Sequence, residues 1–156
     1  MDKPEPILRQ MTEADIGAVS ALEQQCFSMP WSEGSLRFAV ESPLHHAVVL
    51  TVSEEVSGFA VCAALFEECE IMDIAVAENA RRQGYGALLM DELLRFAADA
   101  GCTHALLEVR ESNLPARALY RKKGFSVYGR RGNYYHRPTE DALLMRWEKE
   151  AENASV

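Results

Sequence analysis

The hexapeptide Arg81-Arg82-Gln83-Gly84-Tyr85-Gly86 has the residue types that bind a phosphate. Two guanidinium groups lead into two glycines, and an amphipathic run begins at once with Tyr85, Leu88, Leu89, Leu93, Phe96, Ala97 and Ala100. That spacing predicts a helix with one apolar stripe. Glu70 to Val76, just upstream, is short and mostly apolar, as a buried strand is. A strand, a glycine turn and a helix start leave backbone N–H groups pointing outward, and glycine lets an anion approach them. Arginine adds fixed charge and forked donors. An ordinary strand-to-helix turn with solvated arginines fits the hexapeptide about equally well.

A second group of reactive types lies downstream. In Thr103 to Val109, alternation puts Ala105, Leu107 and Val109 on one face and Leu106, Glu108 and Arg110 on the other. A carboxylate in so apolar a strand is expected to be partly desolvated, which would raise its pKa toward that of a useful base. A same-face Glu108–Arg110 ion pair is the competing and slightly better reading from these residues alone. Asp73, in the strand ahead of the hexapeptide, is the reserve carboxylate. Asn113 and Tyr120 are nearly two helical turns apart and point the same way, so a phenol and a carboxamide could serve one site. A core tyrosine at helical spacing is the commoner fate.

The elements that would position these groups follow from pattern. Ile7 to Gln10 reads as a strand. Thr12 with Asp15 marks a helix start, running through Ile16, Val19, Leu22 and Cys26. Pro30 breaks it, and Ser32 caps a second helix ending before Pro43. His46 to Val52 and Gly58 to Phe66 are expected to form a hairpin around residues 53–57. Glu67 to Cys69 turns into the next strand, completing an antiparallel meander. Gly101 suits the end of the central helix, and Asn113 with Pro115 opens another that stops at Gly124. Phe125 to Tyr128 and Ala142 to Trp147 close the chain around a loop at 129–141. The expectation is one α+β domain over residues 1–148, with 149–156 a frayed tail.

The 156 residues carry a net charge of −8, the wrong sign for a general nucleic-acid binder. An acidic body with a local arginine pair suits one anionic ligand at a fixed site, with no direct nucleic-acid partner. No apolar run approaches the ~20 residues of a membrane helix, and the first residues lack the order of a signal peptide. A cytoplasmic protein is expected, with no membrane partner and a monomer as the default. Cys26, Cys62, Cys69 and Cys102 have no metal-like or disulfide-like spacing, and His45 and His46 point to opposite faces, so no metal is expected.

Strand, Arg81-x-x-Gly84-x-Gly86, then helix resembles the acetyl-CoA motif of the GCN5-related N-acetyltransferase (GNAT) superfamily. A P-loop would need Lys-Ser/Thr where Ala87-Leu88 stands, and a dinucleotide fingerprint would need a small residue at Leu89. Pro30-Trp31-Ser32, Ile74-Ala75-Val76, Leu107-Glu108-Val109-Arg110-x-Ser112-Asn113, Leu119-Tyr120, Gly124-Phe125 and Asn133-Tyr134-Tyr135 resemble the narrower RimI group. Its members are bacterial enzymes that acetylate the N-terminal alanine of a small-subunit ribosomal protein. The first-position Arg81 stands where relatives carry Gln or Arg.

The resemblance implies a three-layer α/β/α fold, with a mixed sheet of about seven strands and about four helices. It implies acetyl-CoA as co-substrate and the N-terminal peptide of a ribosomal protein as acceptor. The amine would attack directly in a ternary complex, with Glu108 as general base and Tyr120 as general acid. Ile74, Ala75 and Val76 would pair with the pantetheine arm, and the Val76 N–H would face the thioester carbonyl. Arg81, Arg82, Gln83, Gly84, Tyr85, Gly86 and Ala87 would form the pyrophosphate clamp. Asn113 and Tyr120 would also touch CoA, while Trp31, Asp73, Tyr134 and Tyr135 would line the acceptor cleft. Other protein N-termini, lysines or small amines are alternative acceptors, and a CoA-binding module without turnover is the alternative from another class.

Overall fold

A computed structural model describes residues 4–150. Seven strands form one sheet: β1 (Ile7–Gln10), β2 (His45–Val52), β3 (Glu55–Leu65), β4 (Glu68–Val76), β5 (His104–Arg110), β6 (Ser126–Tyr135) and β7 (Glu140–Glu148). Their order is β1-β2-β3-β4-β5-β7-β6, and β4–β5 is the parallel pair among antiparallel neighbours. The helices are α1 (Ile16–Cys26), α2 (Glu33–Glu41), α3 (Tyr85–Asp99) and α4 (Leu114–Lys122). The three-layer mixed architecture follows directly.

Strand alternation divides the core in two. Val49, Phe59, Val61 and Ala75 face one side and pack with Ile16, Val19, Leu22, Leu36 and Ala39 of α1 and α2. Val48, Leu50, Ala60 and Cys62 face the other and meet Leu89, Met90, Leu93 and Ala97 of α3, with Tyr120 of α4. Leu89, Met90, Leu93 and Ala97 are fully buried, whereas Leu88 of the expected stripe is exposed. Truncating Leu93 to Ala there would cost about 2–5 kcal/mol in lost burial and residual cavity.

Caps set the helix ends. Ser32 Oγ accepts from the Ser35 N–H at 3.1 Å, and Asn113 Oδ1 accepts from the Ala116 N–H at 3.2 Å. Thr12 and Asp15 form a capping box, but it opens a 3₁₀ turn at Glu13–Asp15 that feeds α1. Gly101, at φ +88°, ends α3 as expected, with the Cys102 N–H donating to the Ala97 carbonyl at 2.9 Å.

Several boundaries differ from the sequence expectation. The β2–β3 turn is only Ser53-Glu54, both with positive φ, so Val56 and Ser57 belong to the strand. The next turn is Phe66-Glu67, and β4 begins at Glu68. The largest difference is β6, which runs on to Tyr135 and leaves a loop of His136 to Thr139 rather than 129–141. As an edge strand exposed along most of its length, β6 has no apolar alternation to announce it. Lys149 still donates its N–H to the Thr103 carbonyl at 2.9 Å, and the rest of the expected tail lies mostly outside the described residues.

Candidate active site

Parallel pairing of β4 with β5 stops at Glu70 opposite Leu106. Beyond that point the two strands part, and among the described residues the β4 edge from Ile71 to Val76 has no strand partner toward β5. Unpaired N–H and C=O groups there can take an added extended chain. The gap opens into a cleft of about 870 Å³ walled by α1, the α1–α2 loop, β4, β5, the start of α4 and β6. It brings together Glu108, Asn113, Tyr120, Trp31, Asp73, Ile74, Tyr134 and Tyr135.

A bulge in β4 controls what faces this cleft. Ile71 pairs with Cys62 and Asp73 with Val61, so Met72 is an extra residue between them. Up to Ile71 the buried residues join the α3-side core; after Met72 the parity flips and Ala75 joins the α1/α2 side. Asp73 therefore faces α1, where its carboxyl meets that of Glu23. Burial and the neighbouring Glu23 push Asp73 up to about 9. Glu23 itself is fully buried and was not visible as a site residue in the sequence. An acidic residue at 23, one turn before Cys26 on the core stripe, is the signal that could have raised it.

Glu108 is more open than expected, its side chain 32% exposed, and it does not pair with Arg110. Its carboxylate instead lies 3.8 Å from Arg131. The Tyr134 phenol is raised first by its contact with Glu108 and then by burial. Arg110 serves another purpose. It donates to Ser28 Oγ at 2.9 Å, to the His136 carbonyl at 3.0 Å and to the Pro138 carbonyl at 3.0 Å, and it stacks 4.5 Å over Tyr135. Arg110 thus ties the β6–β7 loop to the α1–α2 loop across the mouth of the cleft.

Tyr120 is buried among the α4 contacts yet reaches the cleft. Burial, with Asp73 and Tyr135 nearby, holds its phenol well above the usual range, so it stays protonated at neutral pH. The Asn113 carboxamide oxygen is spent on the α4 cap, leaving its N–H₂ as the free function. Cys26 also lines the cleft beside Arg81, whose Nη2 is 3.6 Å from the sulfur. Burial outweighs that cation and pushes the thiol up, away from a nucleophilic thiolate.

The expected phosphate turn sits at the C-terminal end of β4. Gly84 adopts φ +80° at the N-cap of α3, and the first intrahelical bond is Leu88 N–H to the Gly84 carbonyl at 3.2 Å. The Tyr85, Gly86 and Ala87 N–H groups precede that bond, at the helix's electropositive end. A Cβ on Gly84 would meet nothing within 4 Å, so the space over the turn is open. Gly86 has a packing reason: a Cβ there would lie 3.1 Å from Leu119, where α3 crosses α4. Arg81 and Arg82 are both exposed; Arg81 Nε donates to the Val76 carbonyl at 3.2 Å, whereas Arg82 has φ +66°. An open strand edge and a glycine-opened helix start fit the pantetheine and diphosphate of CoA. Among the described residues no helix is long and apolar enough to cross a membrane.

Comparison with known proteins agrees with this geometry. The family model described as the acetyltransferase (GNAT) family matches residues 16–125. A [ribosomal protein bS18]-alanine N-acetyltransferase of Haemophilus influenzae is 33% identical over 142 residues, covering 89% of this chain and 96% of the relative. The crystal structure of the ribosomal-protein-S18-alanine N-acetyltransferase from Escherichia coli superimposes with a TM-score of 0.87 at 28% identity, covering 97% of this chain and 99% of that one. Arabidopsis thaliana NAA60, solved in complex with acetyl-CoA, shares the fold at a TM-score of 0.85 and 17% identity, over 92% and 98% of the two chains.

Proposed function

The chain belongs to the GNAT family of acetyltransferases, and on that footing we propose that it acetylates the N-terminal alanine of a small-subunit ribosomal protein. The observation that carries the reading is the single cleft where the unpaired β4 edge, Glu108 and Tyr120 converge. The activity named for relatives that match nearly the full chain supports the choice of acceptor. Residues 1–148 act as one catalytic domain.

Acetyl-CoA supplies the acetyl group as a thioester when bound. Ile74 to Val76 hold its extended arm as an added strand, and the Val76 N–H donates to the carbonyl oxygen as charge builds there. Tyr85, Gly86 and Ala87 offer N–H groups to the diphosphate, with Arg82 and Gln83 at its flank. Asn113 N–H₂ holds a carbonyl of the arm.

An α-amine has a reference pKa near 8, so at neutral pH most of it must lose a proton before attacking. Glu108 takes that proton, directly or through one water. Tyr120, neutral because it is buried, donates to the departing sulfur. Trp31, Tyr134 and Tyr135 flank the acceptor, and direct attack needs no enzyme nucleophile, in keeping with the protonated Cys26.

Mass spectrometry of N-terminal peptides from cells with and without the gene tests the acceptor. Loss of acetylation on one Ala-initiated ribosomal protein is the expected result. Acetylation of free amines or lysines by the purified protein, with none on Ala-initiated peptides, would replace the acceptor. Acetyl-CoA binding with no transfer to any amine would make the protein a binding module.

A further inference from the structure

Glu23 and Asp73 are the two acidic groups buried deepest beside the cleft, at 0% and 9% exposure. They come from different layers, α1 and β4, and the Met72 bulge is what turns them toward each other. Glu23 Oε2 accepts from the backbone N–H of Trp31 at 2.9 Å, in the α1–α2 loop. Glu23 Oε1 and Asp73 Oδ2 are buried with no donor of their own. Burial beside Glu23 keeps the proton on the Asp73 carboxyl, which can then donate it to the neighbouring Glu23 carboxylate. The result is a continuous chain from β4 through Asp73 and Glu23 to Trp31.

We propose that Glu23 and Asp73 share one proton and act as a latch, a pair of positioning residues that fixes the α1–α2 loop and Trp31 against β4. Neither touches the reacting atoms. Loss of the shared proton to solvent leaves two buried negative charges in contact, whose repulsion parts α1 from β4 and frees the Trp31 loop. The acceptor mouth then loses its shape at alkaline pH while the diphosphate turn at the start of α3 does not.

Among the described residues, the other groups around the pair are already accounted for. From α1, Cys26 faces the pair and its thiol is pushed up by burial. Arg81, from the turn after β4, is engaged with Cys26 and the Val76 carbonyl. From α4, the Tyr120 phenol stays neutral. Val61 of β3, opposite Asp73, is apolar, and the α2 residues in this core, Leu36 and Ala39, are apolar too. Glu70 of β4 and Glu108 of β5 line the same cleft in more open positions. Asp73 loses its proton at about pH 9, so the latch holds at neutral pH.

The effect on the acceptor rests on the acetyltransferase reading above; the latch itself does not. Trp31 and Trp147 are the two tryptophans, so Trp147→Phe leaves Trp31 as the sole tryptophan, excited selectively at wavelengths where neutral tyrosine does not absorb. Its fluorescence, followed from pH 6 to 11 without substrates, should shift with a midpoint near 9. In Asp73→Asn the amide donates to Glu23 permanently, and the shift should vanish. Glu23→Gln removes the second charge and should abolish it as well, which covers the case of one variant folding poorly. With an Ala-initiated peptide, KM should rise several-fold more between pH 7 and 10 in the parent than in Asp73→Asn, with the two kcat profiles parallel. A flat Trp31 signal in the folded parent, or a shift that persists in Asp73→Asn, overturns the latch. A normal shift with no transfer to Ala-initiated peptides supports the latch and sinks the acceptor reading instead.

Discussion

The Glu108 carboxylate on β5 lies 3.8 Å from the Arg131 guanidinium on β6, and both side chains are partly open to solvent. At that separation and exposure the pair contributes little to stability, about 0–1 kcal/mol. Its value is in position, because it leaves Glu108 on the cleft wall beside Tyr134. Glu108→Gln keeps the shape and removes the base. Steady-state kinetics should show kcat falling about 10²–10⁴-fold, with acetyl-CoA affinity by calorimetry nearly unchanged. Tyr120→Phe should give the same pattern, and full activity in both variants would remove them from the mechanism.

Arg110 holds three oxygens of two different loops and the face of Tyr135, so its side chain is a clasp rather than a partner for Glu108. Arg110→Lys keeps the charge but loses the planar fork and the stacking. Acceptor KM should rise by about tenfold or more, in line with one lost hydrogen bond to a charged group, with the KM for acetyl-CoA unmoved. An equal rise in both would mean that the clasp supports the whole fold instead of the acceptor mouth.

Why the sequence showed Glu108 and missed Glu23 is a matter of which interactions are local. Caps and glycine turns depend on residues within one helical turn, so Ser32, Asn113, Gly84 and Gly101 were legible at their correct positions. Glu108 could be placed on a strand face by alternation alone. Its partner could not, since Arg131 comes from an edge strand that carries no apolar period. Glu23 becomes part of the site only through a bulge at Met72 that reverses the facing of Asp73, fifty residues away. The β6 boundary failed for the same reason as the Arg131 pairing: pairing with β7, not local propensity, makes that strand.

Gly84 tests the turn from which the cofactor reading began. Its φ of +80° is a conformation that L side chains rarely adopt, and the space above it is open. A valine there strains the backbone by about 1–2 kcal/mol and puts a β-branched side chain where the diphosphate would approach. Gly84→Val should lose CoA binding by calorimetry while thermal unfolding falls only modestly. Binding at parental affinity would show that the diphosphate sits elsewhere.

Asp73 makes a prediction about folding that is independent of catalysis. In the unfolded chain its carboxyl titrates near 3.8, and in the folded protein burial beside Glu23 raises it to about 9. Between those values the folded state holds one proton more than the unfolded state. Stability from this group is therefore complete below pH 3.8 and is lost progressively as pH rises toward 9. Asp73→Asn removes the titration and keeps the hydrogen bond to Glu23. Urea unfolding of the two proteins should show a gap in favour of Asp73→Asn that widens steadily from pH 4 to pH 9 and then levels off. The opposite slope would mean that Asp73 is ionised in the folded protein, held by a cation. Arg81, if it were that cation, would have to leave Cys26 and the Val76 carbonyl to reach it.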